Sequence, residues 1–227
     1  MKKTYVVSLG GSIIVPDEID SPYLKKFRKF IIAEVKKGNR FIIITGGGRI
    51  ARQYRNAARL IFSSITTEQL DWIGIYTTRT NAVFVKSLFG GLAHDEILLD
   101  PRKRMEIKKP IAIGAGYLPG HSTDYDAVCM AKTYGADTVI NLSNVDYVYD
   151  RDPKKPGAKK ITEITWTDFI RRFGAKWQPG LNAPFDPVAS KLAKKYNFRV
   201  CVANGHDFSN LSKIFSGKKF KGTVIQN

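Results

Sequence analysis

The chain contains 227 residues, of which 43% are hydrophobic, and its 37 Lys and Arg against 20 Asp and Glu give a formal net charge of +17. This length suits one large domain, or two small lobes that share a core. No apolar run approaches the roughly 20 residues that a membrane span needs, and the N-terminus runs directly into a strand-like segment. We therefore expect a cytoplasmic protein without a membrane partner.

Strand-like apolar runs alternate with helical patterns, which predicts an α/β domain on a mainly parallel sheet. No repeat or linker is visible, so we expect residues 1–227 to form one domain. Gly38 is predicted to end the first long helix, and the segment up to Pro156 is rich in turns. In chain order the predicted elements are strand 4–9, helix 23–37, strand 40–45, helix 51–60, helix 68–88, strand 110–113, helix 125–134, strand 138–142, helix 166–173, helix 187–196, strand 198–203, helix 208–215 and strand 223–225.

The positive charge is spread along the chain in short doublets such as Lys25-Lys26 and Lys194-Lys195. A solvated surface explains such doublets, and a positive field also draws in anionic nucleotides. We expect no nucleic-acid partner; a nucleic-acid-binding protein is an alternative that rests on net charge alone. The two cysteines, Cys129 and Cys201, are expected to be buried thiols, and three histidines without ligand spacing argue against a zinc site.

Three predicted strands run into glycine-rich turns, Gly10-Gly11-Ser12, Gly46-Gly47-Gly48 and Gly114-Ala115-Gly116. In open α/β sheets ligands bind beyond the carboxyl ends of the strands, where glycine lets backbone N–H groups approach a phosphate. One such turn is equally well explained by a tight connection, but three at one sheet edge predict a site of polyphosphate size. The chain has neither the G-x-x-x-x-G-K-[ST] motif nor a strand-linked G-x-G-x-x-G motif, so the common phosphate-binding classes fit poorly.

Five sequence blocks, in the same order and over nearly the whole chain, resemble the amino-acid-kinase fold, and within it the prokaryotic UMP kinases of the short archaeal type. The resemblance implies an αβα sandwich on a mainly parallel sheet, with an acceptor lobe at about 1–120 and an ATP lobe at about 121–227. It implies transfer of the γ-phosphoryl group of ATP to UMP in pyrimidine nucleotide biosynthesis, with Mg²⁺, in a homohexamer. The blocks are residues 10–12 with 46–54, 71–82, 119–124, 144–154 and 186–191.

The resemblance also implies roles for individual residues. Lys191, Asp186 and Arg52 would be catalytic: Lys191 and Arg52 would contact phosphates, and Asp186 would orient the lysine or help to hold Mg²⁺. Further residues would bind ATP, namely Gly11, Ser12, Gly48, Arg52, Ser143, Asn144, Tyr149 and Asp152. The UMP-binding set would be Gly47, Asp71, Tyr117, Leu118, Pro119, Gly120, His121, Ser122 and Thr123.

The chain departs from the family pattern at three places. Ser8 stands where many members have a lysine two residues before the first glycine, so Lys191 or Arg52 would carry more of the charge. Tyr147 replaces a glycine, and if that position requires a positive φ the tyrosine is strained. Residues 176–185 match no family pattern and are interpreted as an active-site flap, with a packed loop as the alternative.

Two further functions remain open from the sequence. Isopentenyl phosphate kinases share the fold, but they have a histidine after the second glycine loop, and residues 48–52 contain none. The second is a non-catalytic relative that binds a nucleotide or an oxyanion, and it stays possible because Ser8 replaces the lysine.

Overall fold

The computed structural model describes residues 3–174, 176–181 and 183–227. Within these residues the strands are β1 Thr4–Leu9, β2 Arg40–Thr45, β3 Ile111–Gly114, β4 Thr138–Ser143, β5 Val148–Tyr149, β6 Lys160–Ile161, β7 Glu163–Thr165, β8 Arg199–Asn204 and β9 Thr223–Gln226. The α-helices are α1 Gly11–Ile14, α2 Ser21–Lys36, α3 Gly48–Ile61, α4 Thr67–Ser87, α5 Thr123–Tyr134, α6 Trp166–Phe173, α7 Pro187–Lys195 and α8 Phe208–Phe215, and Gly90–Leu92 forms a 3₁₀ turn.

Seven strands form one sheet in the order β3-β2-β1-β4-β8-β9-β7. Every neighbouring pair is parallel except β8 and β9, which are antiparallel. The predicted mainly parallel α/β sheet is therefore confirmed, and the first three strands leave their glycine turns at one edge.

Side chains that alternate along the strands supply two apolar cores, one on each face of the sheet. On β1, Val7 packs with residues of α2, α4 and α8, whereas its neighbour Val6 packs with residues of α5, α6 and α7. Helices thus cover both faces, which confirms the αβα sandwich. The thiols of Cys129 and Cys201 are buried and free, as predicted.

Capping residues explain where several helices begin earlier than periodicity predicts. The Asp20 carboxylate accepts a hydrogen bond from the Tyr23 N–H, so α2 begins at Ser21 rather than at residue 23. Ser122 caps α5, which begins at Thr123. Gly38, with φ +94°, ends α2 as predicted.

Several short elements were missed by the sequence analysis. The turn-rich segment contains the β5–β6 hairpin, β7 joins the edge of the sheet, and α1 is a single turn. Elements of two to four residues are shorter than the window in which hydrophobic periodicity can be read. In the part of the chain described here, no helix combines the length and the apolarity that crossing a bilayer would require.

Candidate active site

The first two glycine turns touch each other beyond the carboxyl ends of β1 and β2. A Cβ atom on Gly11 would lie 2.0 Å from the Gly48 backbone nitrogen and 2.6 Å from the Gly46 carbonyl carbon. Gly48 has φ +70°, and the Asn81 side chain donates a 2.7 Å hydrogen bond to the Gly46 carbonyl oxygen. Only glycine permits this approach, which brings two backbone turns to one place.

These turns open helices α1 and α3, so their N-termini meet at the sheet edge. Gly11 begins α1 and is followed by the half-buried Ser12, while Gly47 stands at the N-cap of α3. Arg52, one turn into α3, is exposed. The two glycine turns therefore lie at helix N-termini, where the helix dipole favours an anion, and Arg52 follows the second turn on α3.

Asp71 on α4 meets the loop that precedes α5. Its side chain is buried, and Oδ2 accepts a 2.8 Å hydrogen bond from the backbone N–H of Gly120, which has φ +99°. The structure thus brings together Asp71 and the loop 117–123, which the sequence analysis assigned to one ligand. The Trp177 Nε1–H lies 3.3 Å from the same carboxylate oxygen.

The start of this loop is held by Arg79, a residue of the second block to which the sequence analysis gave no role. Its Nε donates to the Gly116 carbonyl oxygen at 3.3 Å, and its Nη2 donates to the Tyr117 carbonyl oxygen at 3.1 Å. The Tyr117 hydroxyl donates to Asp100 at 3.1 Å and accepts from Arg102 at 2.6 Å. Leu118, Pro119 and Gly120 form the more exposed tip of the loop.

A carboxylate network joins this loop to β1, β4 and α7. Asp124 Oδ1 accepts hydrogen bonds from the Ser8 hydroxyl at 2.9 Å and the Asn141 amide at 3.0 Å, and Oδ2 accepts from the Asp186 N–H at 3.2 Å. Loss of solvent, followed by repulsion from the Asp186 carboxylate, raises the pKa of Asp124 to about 7. Sequence analysis found Asp124 only as the end of a motif, because its partners are up to 116 residues away.

Asp186 connects α7 to the same loop. Its Oδ1 caps α7 by accepting from the Ala189 N–H at 2.7 Å, and its Oδ2 accepts from the Ser122 N–H at 2.9 Å. Lys191 lies in the second turn of this helix and is exposed. Asp186 therefore fixes the helix that carries Lys191 against the loop.

The four residues assigned to the adenosine end lie after β4 and around the β5–β6 hairpin. The Ser143 hydroxyl accepts from the Val145 N–H at 3.3 Å, Asn144 is exposed, and Asp152 accepts from the Lys154 N–H at 2.9 Å. Tyr149 lies on β5 and is half-buried.

Strain at Tyr147 was predicted only if this position has a positive φ, and that condition is not met. Among the described residues Asn197 is the one non-glycine residue with a positive φ, so the backbone of Tyr147 lies outside the left-handed region. Its ring meets that of Tyr149 edge-on at 6.5 Å, and Lys160 lies over it at 5.2 Å. The chain before β5 accommodates the Tyr147 side chain without a left-handed backbone at this position.

Residues 176–185 divide into two parts, with Asn182 outside the described residues. Trp177 contacts Asp71, whereas Phe185 is fully buried against Trp166, with 5.9 Å between the ring centroids. The first part meets the candidate site and the last part belongs to the core.

Comparisons with known proteins identify the family of this chain. The sequence model of the Amino acid kinase family matches residues 3–204. A uridylate kinase of Thermoplasma acidophilum is 36% identical over 233 residues, covering 100% of this chain and 98% of its own, and one of Thermococcus onnurineus is 32% identical over 225 residues, covering 97% and 98%. The crystal structure of uridylate kinase from Archaeoglobus fulgidus superimposes with a TM-score of 0.80 at 29% identity, over 98% of this chain and 99% of that one. With the fold, the paired glycine turns and these full-length relatives in agreement, the chain belongs to the amino acid kinase family.

Proposed function

We propose that the protein is a UMP kinase, which transfers the γ-phosphoryl group of ATP to UMP and yields ADP and UDP. The observation that carries the proposal is the contact between Asp71 and Gly120. It places a buried carboxylate beside the loop 117–123, at the sheet edge where the two glycine turns meet. Full-length relatives named uridylate kinase support the same activity.

UMP would bind at the acceptor end of this edge. The Asp71 carboxylate would accept hydrogen bonds from the ribose hydroxyls, because a buried carboxylate is a strong acceptor. Gly47 and the backbone N–H groups of the loop, with the Ser122 and Thr123 hydroxyls, would hold the phosphate. In the loop Tyr117, Leu118, Pro119, Gly120 and His121 would enclose the nucleotide.

ATP would place its phosphates over the paired glycine turns. Gly11, Ser12 and Gly48 would supply N–H and hydroxyl donors, and Ser143, Asn144, Tyr149 and Asp152 would hold the adenosine end. Tyr149 would offer the base an aromatic face.

The reaction needs alignment and charge stabilisation rather than covalent catalysis. A phosphate oxygen of UMP forms the new bond to the γ-phosphorus as the bond to the β–γ bridging oxygen breaks, and ADP leaves with that oxygen. Arg52 and Lys191 would stabilise the negative charge that spreads over the transferring group.

Mg²⁺ would accompany the ATP phosphates and neutralise part of their charge. Both oxygens of Asp186 accept backbone N–H groups, from Ala189 and Ser122, so any contact of this residue with the metal would use their remaining lone pairs.

We further propose a cytoplasmic enzyme of pyrimidine nucleotide biosynthesis that works as a homo-oligomer, hexameric by resemblance. The outer surface of α3 and α4 supports association between copies of the chain, since it exposes several large apolar side chains and exposed apolar patches often mark protein–protein interfaces. They are Tyr54, Leu60, Ile61, Phe62, Tyr76 and Val83, and we refer to them as the α3–α4 apolar surface.

The first experiment is incubation with ATP, Mg²⁺ and a panel of UMP, CMP, dUMP and isopentenyl phosphate. UMP should be the preferred acceptor. Turnover of isopentenyl phosphate alone, or ATP binding without any turnover, would contradict the proposal.

Asp71→Asn tests the acceptor site. The amide oxygen still accepts the Gly120 N–H, but the charge that strengthens ribose hydrogen bonds is lost, so KM for UMP should rise about tenfold or more. KM for ATP should change little. Glu68→Gln, an exposed change in the first turn of the same helix, is the control. An equal effect of Asp71→Asn on both substrates would refute the assignment.

A further inference from the structure

Asp126 is a buried carboxyl group that the proposed transfer does not use. It lies in the first turn of α5 and is 1% exposed. Its Oδ2 accepts a 3.4 Å hydrogen bond from the Tyr117 N–H, whereas its Oδ1, which is buried, has no hydrogen-bond partner within the described part of the chain. Burying an oxygen without a hydrogen-bond partner costs free energy. We therefore ask which group could become a hydrogen-bond partner of Oδ1 when a ligand is bound.

The imidazole of His121 faces that oxygen. Nδ1 lies 3.9 Å from Asp126 Oδ1 and 3.3 Å from the Ser122 carbonyl oxygen. The imidazole packs against the Tyr125 ring at a tilt of 32°, with 4.1 Å between centroids, and the His121 side chain is 12% exposed. A ring movement of roughly 1 Å would make the contact with Asp126 a hydrogen bond.

Burial favours the uncharged form of both groups. It raises the pKa of Asp126 well above the ordinary value and lowers the pKa of His121. Charged side chains of the surrounding elements modify this balance. Around Asp126, Asp186 and Asp124 favour the neutral acid and Arg79 favours the carboxylate; around His121, Asp186 and Asp71 favour the imidazolium and Arg102 opposes it.

We infer that Asp126 is a positioning residue for the acceptor phosphate, acting through a proton that it shares with His121. The inference rests on the proposed function, because it requires that the loop 117–123 hold a phosphate. Without the anion the proton stays on Asp126 and both side chains are neutral. When a phosphate dianion arrives, Asp126 loses its proton and His121 gains one, so the number of bound protons is unchanged.

The charged arrangement uses both ring nitrogens. Nδ1–H donates to Asp126 Oδ1, which thereby gains its missing partner, and Nε2–H faces a phosphate oxygen. The carboxylate compensates the imidazolium inside the loop, and the imidazolium compensates part of the phosphate charge.

NMR titration of His121, one of three histidines in the chain, tests the shared proton. In the wild type, inorganic phosphate and UMP should each raise the proton affinity of His121 roughly tenfold, as a nearby dianion does. In Asp126→Asn the amide still accepts the Tyr117 N–H, but it supplies no counter-charge, so most of this response should be lost. An unchanged response would overturn the inference.

Kinetics supply a second readout that a structural role would not produce. Asp126→Asn and His121→Gln should each raise KM for UMP about tenfold at pH 6.5, and the double variant should be no worse than His121→Gln, because the two side chains act as one unit. The imidazolium is lost as pH rises, so the ratio of variant to wild-type KM should fall toward one at high pH. Asp137→Asn, at an exposed carboxylate after α5, is the control. Additive effects, or ratios independent of pH, would overturn the inference.

The two levels of the proposal fail separately. If the wild type turns over UMP while His121 responds to neither anion, the shared proton is refuted and the kinase stands. If His121 responds to inorganic phosphate in a protein that turns over no UMP, the pair is supported and the proposed acceptor is refuted. His121→Gln changes a residue near the surface and keeps the test readable if Asp126→Asn unfolds.

Discussion

Ser8 leaves the first glycine turn without the positive charge that the family pattern places beside it. Its hydroxyl is committed to Asp124, and the side chain is buried. In the proposed reaction, the negative charge that develops on the transferring phosphoryl group would therefore be stabilised by cations from elsewhere in the chain. Lys191 and Arg52 are exposed cations within the blocks that resemble the family, and Lys191 is held on a helix whose first turn is fixed by Asp186.

Lys191→Met is expected to lower kcat on the order of 10²–10³-fold, as does the loss of a contact made mainly in the transition state. The apparent affinity for ATP should change only modestly. Lys194→Met, an exposed change in the last turn of the same helix, should behave like the wild type. Steady-state kinetics of both variants decide the matter. If Lys191→Met retains most of its turnover, Arg52 is the next candidate.

Individual residues also mark the limit of prediction from sequence. Asp71 and Gly120 were assigned to one ligand on motif alone, and they lie in contact. Asp124 and Asp126 received no role, because nothing local distinguishes a buried carboxylate from a solvated one in a helix first turn. Their partners Ser8 and His121 become visible only when β1 and the loop are placed beside α5.

Among the elements, the segment 176–181 contacts the proposed UMP site through Trp177. The Trp177 Nε1–H and the Gly120 N–H share one oxygen of Asp71. Ribose hydroxyls that bind this carboxylate would compete with the indole. The interpretation as a flap is compatible with this contact, whereas the buried Phe185 anchors the end of the segment.

Tryptophan fluorescence should report that competition. UMP should change the emission of the wild type and of Trp72→Phe, while Trp177→Phe should lose most of the change, because only the latter removes the indole that donates to the Asp71 carboxylate. ATP alone should have little effect. A signal that survives in Trp177→Phe and disappears in Trp72→Phe would show that the segment does not respond to the acceptor.

Within the described residues, every helix or strand of six or more residues was predicted from the sequence. The bounds of α6 and α8 agree with the predicted helices 166–173 and 208–215. The β5–β6 hairpin was missed because two-residue strands carry no periodic signal, and their pairing depends on the chain around them. The division into lobes near residue 120 stays a prediction.

For the whole molecule, the α3–α4 apolar surface is the feature that bears on assembly. Leu60 and Ile61 are 88% and 85% exposed at its end. Such side chains are unusual on a surface that remains in water, and a second copy of the chain is the proposed cover. The net charge of +17 is spread along the sequence in short doublets rather than concentrated in one segment. We therefore interpret it as a general positive field that attracts anionic nucleotides, and nucleic-acid binding stays the less favoured alternative.

Leu60→Asp combined with Ile61→Asp should dissociate the proposed oligomer, since it would place two charges in an interface that excludes water. Sedimentation velocity should show a shift to smaller species with helical content unchanged. Ile19→Asp, at an exposed apolar residue outside this surface, should sediment like the wild type. A wild-type protein that sediments as a monomer would contradict the proposed assembly.

The contact between Gly11 and Gly48 restricts how this chain can diverge. At most glycines a substitution is judged by its own backbone, and Gly135, with φ +69° and open space around it, leaves room for asparagine. At Gly11 the obstacle is another segment's main chain, 2.0 Å from where a Cβ would stand. Because this obstacle is backbone, no substitution of a neighbouring side chain can make room for a side chain at Gly11. Homologues that differ from this chain at most other positions should therefore retain glycine here. The position can then be used to align distant members of the family.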